Sequence, residues 1–210
     1  MEKAVGLLTK IKKKVQSWLA KEAEILHKVG FTPNKVSLTG LIFALLSSAA
    51  YATWNVYHPA ALLLAAVLLL LSGFCDAIDG VIARIYGEAT AFGGFLDSLF
   101  DRYADAIVIA GIMIGGLCQT FWGLLALIGS LLVSYARARA EAAGIRMETV
   151  GLAERAERIL IYVAATLIAT FCSPKNAIET MNIATIIVAV LTNITVIQRL
   201  IYFYNAVKQN

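Results

Sequence analysis

Long stretches without a charged side chain constrain this sequence more than any other feature. No Asp, Glu, Lys or Arg occurs at 36–58, at 60–75 or at 106–136. An α-helix needs about 20 apolar residues to cross the hydrocarbon core of a bilayer, and it satisfies its own backbone hydrogen bonds there. The chain is also 60% hydrophobic, above the roughly half that is usual in soluble domains. We therefore expect an all-α integral membrane protein.

Six transmembrane helices are expected from these stretches and the breaks between them. The 106–136 stretch is too long for one ordinary span and too short for two, and Gly115-Gly116 and Gln119-Thr120 interrupt it near its middle. Ser173-Pro174 is expected to end the fifth helix, because proline cannot continue one. The expected helices are 36–58, one from 60 into the acidic stretch that follows, 91–115, 120–142, 156–173 and 180–204.

The first 30 residues are predicted to form a basic amphipathic helix on the membrane surface rather than a signal peptide. Lysines alternate there with apolar residues near i, i+3, i+4 and i+7, the period of one helix face. A soluble partner-binding helix is the alternative. Thr32-Pro33-Asn34 is expected to start the next helix, with a capping residue and an early proline. We expect 1–210 to be one domain, an interfacial helix at 1–30 and a six-helix bundle at 31–210.

The distribution of cations predicts the orientation in the membrane. Most cations fall on one side of the predicted spans, and Lys175 is the exception. They are the N-terminal lysines, Arg84, the arginines between 137 and 158, and Arg199 with Lys208. By the positive-inside rule, both termini and the acidic stretch face the cytoplasm of a cell-membrane protein. The formal net charge of +4 suits anionic headgroups or an anionic substrate. No interleaved basic and aromatic patch indicates nucleic acid.

The acidic stretch between the second and third predicted helices carries four aspartates. Asp76 and Asp79 are spaced i,i+3, and Asp97 and Asp101 are spaced i,i+4, so each pair shares a helix face. Four carboxylates at membrane depth cannot all stay ionised without a cation, and carboxylate oxygens suit hard divalent metals. A metal site is the first interpretation. A proton or ion relay in a transporter, or a buried charge pair with Arg84, is the alternative.

The whole motif is more specific than the aspartates alone. It reads D-x2-D-G-x2-A-R-x8-G-x3-D-x3-D between residues 76 and 101. This resembles the signature of the CDP-alcohol phosphatidyltransferase family. The resemblance implies six transmembrane helices, a homodimer, and transfer of a lipid-phosphate group from a CDP-linked lipid to an alcohol with release of CMP. It also implies two divalent ions, Mg²⁺ or Mn²⁺.

The resemblance assigns roles to individual residues. It implies that Asp101 is the general base as well as a metal ligand. The implied metal ligands are Asp76, Asp79, Asp97 and Asp101. The implied CDP-lipid contacts are Asn34, Lys35, Val36, Ser37, Gly80, Ala83, Arg84 and Thr90.

Arginines form a second constellation at the ends of the predicted helices four, five and six. They are Arg137, Arg139, Arg155, Arg158 and Arg199. Each could be an interfacial anchor or pair with a nearby glutamate, but arginine also binds phosphate in a bidentate manner. The segments SYARARAE, GLAERAER and QRL are similar to the corresponding segments in the inositol-phosphate branch of the family. This resemblance implies that the five arginines hold inositol 1-phosphate. Glycerol 3-phosphate as acceptor, and a cation transporter that uses the aspartates, are the competing hypotheses.

Overall fold

The computed structural model describes residues 19–147 and 150–209, and every regular element in these ranges is a helix, with no strand. The described helices are α1 (19–28), α2 (Pro33–Ala52), α3 (Trp54–Tyr57), α4 (Ala60–Ile85), α5 (Ala91–Ile114), α6 (Thr120–Ala142), α7 (Arg155–Thr170) and α8 (Pro174–Gln209). The predicted interfacial helix is described only from residue 19, and its first 18 residues lie outside the described ranges.

Four of the described helices are long and apolar enough to cross a membrane by length and composition: α2, α4, α6 and α8. This confirms the expectation of an all-α membrane protein. The helix α5 carries Asp97, Asp101, Arg102 and Asp105 along its first half, and α7 has only 16 residues. These features keep α5 and α7 outside the group of four.

The ends of three predicted helices differ from the structure. The fifth was expected to run to 173, but α7 ends at Thr170. The first span was expected to run to His58, but α2 ends at Ala52 and the separate turn α3 follows. The Trp54 indole donates to the Gly115 carbonyl oxygen at 2.7 Å, a contact that the local apolar pattern does not reveal. The last span was expected from 180, but α8 begins at Pro174, because proline is well tolerated in the first turn of a helix.

The chain divides into two compact units, and Met1–Ile42 with Ser72–Asp101 forms the first. Its core contains Ala23 of α1, Val36 of α2, and Ile78 and Ile82 of α4, all nearly inaccessible to solvent. The apolar face of α1 therefore packs against protein within this unit. Burial of these side chains, rather than helix propensity alone, stabilises so short a helix.

The second unit comprises Phe43–Leu71 and Arg102–Asn210. Its helices approach closely through small residues, since a Cβ on Gly129 would overlap the Thr192 hydroxyl oxygen. Hydroxyl groups also join neighbouring helices: Ser47 donates to the Ala65 carbonyl at 2.8 Å. Small residues and interhelical hydrogen bonds are the usual means of helix packing in lipid.

Candidate active site

Three of the four predicted metal ligands converge within the first unit. One carboxylate oxygen each from Asp76, Asp97 and Asp101 can be chosen so that all three lie within 4.8 Å of one another, and the three residues are half-buried. Asp76 lies near the end of α4, and the other two lie one turn apart on α5. Hard carboxylate oxygens at this spacing fit a divalent cation such as Mg²⁺ or Mn²⁺.

The fourth aspartate, Asp79, lies outside that group of three. Its side chain is 5% exposed, and the Ser37 hydroxyl of α2 donates to its Oδ2 at 2.6 Å. This hydrogen bond satisfies a buried carboxylate oxygen, which would otherwise carry a large desolvation cost. The sequence spacing predicted that Asp79 and Asp76 share a face but did not reveal the partnership with Ser37.

A cavity of about 140 Å³ lies within the first unit, between α2, α4 and the segment that leads into α5. Asp79 and Asp97 belong to its wall. The predicted CDP-lipid contacts on its wall are Asn34, Ser37, Gly80, Ala83 and Thr90. The cavity therefore brings five of the eight predicted contacts together beside two of the aspartates.

The other three predicted CDP-lipid contacts do not line this cavity. Val36 is 1% exposed in the apolar core. Lys35 is exposed and donates to the Gly30 carbonyl at 3.2 Å. Arg84 is exposed, with its guanidinium beside Gly80, where an added Cβ would lie 3.3 Å from Arg84 Nη1.

Thr90 and Gly93 determine the structure at the start of α5. The Gly93 N–H donates to the Thr90 hydroxyl at 3.0 Å, so Thr90 caps the helix, as threonine commonly does. A Cβ on Gly93 would lie only 2.9 Å from Asn34 Oδ1. The absence of a side chain there lets Asn34 of α2 approach the first turn of α5. The cap was not anticipated from the sequence, although a threonine directly before a helical pattern is its usual signal.

Within the second unit, Asp105 pairs with two of the predicted acceptor arginines. Arg158 Nη2 donates to Asp105 Oδ2, and Arg155 Nε lies 3.7 Å from Asp105 Oδ1. Arg158 also donates to the Ala153 carbonyl at 2.9 Å and is 4% exposed. The sequence signal for this role was the position of Asp105, one turn after Asp101 on the same face of α5.

Arg199 is almost fully buried, at 2% exposure, and it joins parts of the second unit. Its guanidinium donates to the carbonyl oxygens of Val150 and Val133, at 2.8 and 2.5 Å, and to Glu154 Oε1 at 3.3 Å. Nearby, the Thr195 hydroxyl oxygen accepts hydrogen bonds from two backbone N–H groups in the segment that follows Val150. These contacts give Arg199 a structural role that its lack of acidic neighbours in sequence did not predict.

The remaining two arginines are more accessible. Arg137 forms an i,i+4 ion pair with Glu141 at 2.9 Å, one of the glutamate pairings that the sequence left open. Arg139 is exposed and lines an apolar groove of about 240 Å³ between α6 and α8. Arg199 also lies on the wall of that groove.

Residues 31–198 match the CDP-alcohol phosphatidyltransferase family. The chain belongs to this family. Archaetidylinositol phosphate synthase of Methanothermobacter thermautotrophicus is 44% identical over 184 residues, covering 88% of this chain and 89% of that protein. The protein of the same name from Pyrococcus horikoshii is 40% identical over 193 residues, covering 92% and 94%.

Solved structures of a phosphatidylinositol phosphate synthase are also similar to this chain. Phosphatidylinositol phosphate synthase of Mycobacterium tuberculosis with CDP-DAG bound is 30% identical, with a TM-score of 0.71 over 89% of this chain and 93% of that one. Its complex with manganese and citrate has the same identity and TM-score, over 89% and 88%.

These comparisons confirm the family resemblance read from the aspartate motif. The chain is an enzyme of the CDP-alcohol phosphotransferase class, in a membrane. Use of a divalent metal is supported by the aspartate cluster of this chain and by the manganese in the solved structure of a similar protein.

The burial of Arg199 leads to a prediction about stability. Arg199→Gln should lower the free energy of unfolding by about 2–3 kcal/mol, because charge-assisted hydrogen bonds are lost and buried carbonyl groups are left without donors. We expect a melting temperature in detergent several degrees below that of the wild type. Arg139→Gln, a matched change at an exposed arginine of the same unit, should stay within about 0.5 kcal/mol of the wild type. Equal melting of both variants would show that the contacts of Arg199 contribute little.

Proposed function

We propose that this CDP-alcohol phosphatidyltransferase transfers the lipid-phosphate group of CDP-archaeol or CDP-diacylglycerol to myo-inositol 1-phosphate and releases CMP. The observation that carries the proposal is the convergence of Asp76, Asp97 and Asp101 within the family motif. The acceptor is supported by the named inositol-phosphate synthases that align with most of this chain. The reaction belongs to phospholipid biosynthesis.

The donor site of this proposal lies in the first unit. Asp76, Asp97 and Asp101, together with Asp79 on the cavity wall, would hold two Mg²⁺ or Mn²⁺ ions. When bound there, divalent cations would supply charge stabilisation for the phosphoryl oxygens and for the departing CMP. The cavity beside Asp79 and Asp97 takes the CDP moiety, with Asn34 and Thr90 on its wall. Small residues at Gly80 and Ala83 leave room for the nucleotide to approach the α4 backbone.

Asp101 acts as the general base in this mechanism. It accepts the proton of an inositol hydroxyl, whose oxygen attacks the β-phosphorus that bears the lipid. The new bond joins that oxygen to phosphorus, the bond from phosphorus to the bridging oxygen breaks, and CMP leaves with the electron pair. A carboxylate near cations is a weak base, so the positioning of the hydroxyl must provide much of the acceleration.

The arginines of the second unit divide into two groups in the proposed acceptor site. Arg158 and Arg199 are buried and bind protein groups, so their main contribution is to hold the segment between α6 and α7. Arg137 and Arg139 are more exposed, and Arg155, whose side chain is 16% exposed beside Asp105, is less buried than Arg158. These three are the stronger candidates for direct contact with the acceptor phosphate. Arginine suits that contact because its planar donors match phosphate oxygens.

The membrane arrangement is also part of the proposal. We infer six spans formed by α2 and α4 to α8, with both termini and the active site in the cytoplasm of a multi-pass cell-membrane protein. The family match, which runs through both compact units, supports one catalytic domain. A homodimer follows from the family resemblance, and mass measurement in a lipid nanodisc tests it.

An acceptor panel tests the proposed reaction. The purified protein would be incubated with CDP-archaeol or CDP-diacylglycerol, Mg²⁺, and radiolabelled inositol 1-phosphate, inositol or glycerol 3-phosphate. We expect label to enter the lipid fraction from inositol 1-phosphate. Preferential labelling from glycerol 3-phosphate would assign the other phosphorylated acceptor, and cation flux in vesicles without lipid labelling would favour a transporter.

The acceptor site leads to a prediction for Arg155. Arg155→Gln should raise the KM for inositol 1-phosphate by about ten- to a hundredfold, since a charge-assisted hydrogen bond is worth about 1.5–3 kcal/mol. The KM for CDP-lipid should barely change. Arg146→Gln removes an exposed cation from the loop after α6 and serves as the control with unchanged constants. A rise of equal size in both KM values for Arg155→Gln would argue against a dedicated phosphate contact.

A further inference from the structure

An unassigned cluster in the first unit joins the end of α1 to the turn after α4. The ring of His27 stacks on Tyr86, with centroids 3.6 Å apart and planes 3° from parallel. On the same ring, Nε2 lies 2.9 Å from Glu88 Oε1. His27 is about 60 positions from Tyr86 and Glu88 in sequence, and the three residues form a cluster that we call the His27 clasp. The proposed reaction uses none of these three residues.

The α1 side of the His27 clasp is held in place by packing. Ala23 is fully buried in the core of the first unit, and Leu26 packs against the same core. At the end of α1, the Phe31 N–H donates to the Leu26 carbonyl at 3.1 Å, and Gly30 adopts a φ of +89°. This is the glycine-terminated helix end of a Schellman motif. Such packing and capping fix the direction in which His27 leaves the helix.

The other side of the His27 clasp belongs to the wall of the proposed nucleotide cavity. Helix α4 ends in the same kind of motif, since Gly87 has a φ of +67° and the Glu88 N–H donates to the Ala83 carbonyl at 3.1 Å. From there, Glu88, Ala89 and Thr90 line the cavity. The segment 86–90 thus runs directly from the clasp to the residue that caps α5.

The charge of Glu88 makes its orientation important. A carboxylate on the wall of a cavity that receives a pyrophosphate would repel that ligand, because like charges at short range are unfavourable. The contact with His27 Nε2 gives this carboxylate a partner on the side of α1. Holding the carboxylate there keeps one oxygen engaged and fixes the adjacent backbone.

We propose that His27 is a positioning residue for the nucleotide: through Tyr86 and Glu88 it holds the segment 86–90 in the form that binds the CDP moiety. The inference rests on the proposed function, because it takes the cavity to be the nucleotide site. His27 touches no reacting atom, so its loss weakens binding of the CDP-linked lipid and leaves the chemical step intact.

The test compares variants on α1 by two measurements. His27→Ala removes the stack and the hydrogen bond, whereas His27→Phe keeps a ring against Tyr86 and loses only the contact with Glu88. Glu24→Ala is the matched control, since it breaks the exposed ion pair of Glu24 with Lys28 on the same helix. The first measurement is the affinity for CDP with Mg²⁺ by calorimetry in detergent. The second is steady-state kinetics of CMP release, with melting temperatures as the folding check.

For His27→Ala we expect affinity for CDP to fall by about ten- to thirtyfold, since a hydrogen bond and an aromatic stack are each worth about 1 kcal/mol. The KM for CDP-lipid should rise by a similar factor, while kcat and the KM for inositol 1-phosphate stay within about twofold. His27→Phe should recover part of the loss, and Glu24→Ala should match the wild type. If His27→Ala does not fold, His27→Phe still tests the inference, because loss of the Glu88 contact alone should lower affinity for CDP.

Unchanged affinity for CDP in both His27 variants would overturn the inference, and so would a fall in kcat as large as the rise in KM. An effect of Glu24→Ala equal to that of His27→Ala would assign the loss to α1 as a whole and also overturn it. Failure of the proposed function is a separate result, in which the wild type releases no CMP from CDP-lipid. The calorimetric comparison with CDP remains decisive in that case.

Discussion

Asp97→Ala should abolish CMP release and weaken Mn²⁺ binding. Asp97 belongs both to the group of three converging carboxylates and to the cavity wall, so its loss affects the metal site and the donor site together. The charge stabilisation that a bound metal supplies is worth several kcal/mol, which corresponds to a rate loss of at least about a thousandfold. Asp76→Ala should behave in the same way.

Turnover and titration with Mn²⁺ would be measured on the same preparation, so that loss of the metal site is seen independently of activity. Glu179→Ala, which removes an exposed carboxylate from α8, is the control and should retain both properties. Retained turnover of Asp97→Ala at ordinary Mg²⁺ concentrations would reject the metal assignment.

Asp101→Asn is expected to slow turnover by about 10²–10⁴, the usual loss when a general base is removed. Asparagine keeps the size and most of the hydrogen bonding of aspartate but cannot take up the proton. Binding of CDP-lipid should be largely kept, because the other aspartates of the cluster remain.

Single-turnover rates and CDP-lipid affinity, measured together, separate the two roles of Asp101. Asp97→Asn is the matched comparison on the same helix face, one turn earlier, and should weaken metal binding more than Asp101→Asn does. A fall in CDP-lipid binding as large as the fall in rate would make Asp101 mainly a metal ligand.

The helical architecture could be predicted from the sequence because lipid allows few solutions for an uncharged apolar stretch. The expected range 120–142 is the range of α6, and 91–115 differs from α5 by one residue. The end of α2 at Ala52 could not be predicted, since it accompanies a contact of Trp54 with a residue 61 positions away. Helix ends are decided by such contacts as much as by local composition.

The candidate site was predictable to a similar extent. Spacings of three and four residues place aspartates on common helix faces, and three of these aspartates converge. Spacing could not show that Asp79 accepts from Ser37, 42 residues away, or that Arg199 pairs with Glu154, 45 residues away. Contacts between distant segments depend on packing, and a single sequence carries no direct record of them.

Release of CMP from CDP-archaeol and CDP-diacylglycerol, each with and without inositol 1-phosphate, tests the central proposal most directly. We predict that CMP appears in equal amounts with a lipid-linked inositol phosphate, that it requires Mg²⁺ or Mn²⁺, and that unphosphorylated inositol is a poor acceptor. Equal turnover of inositol and inositol 1-phosphate, or CMP release that is unchanged when inositol 1-phosphate is omitted, would contradict the proposed function.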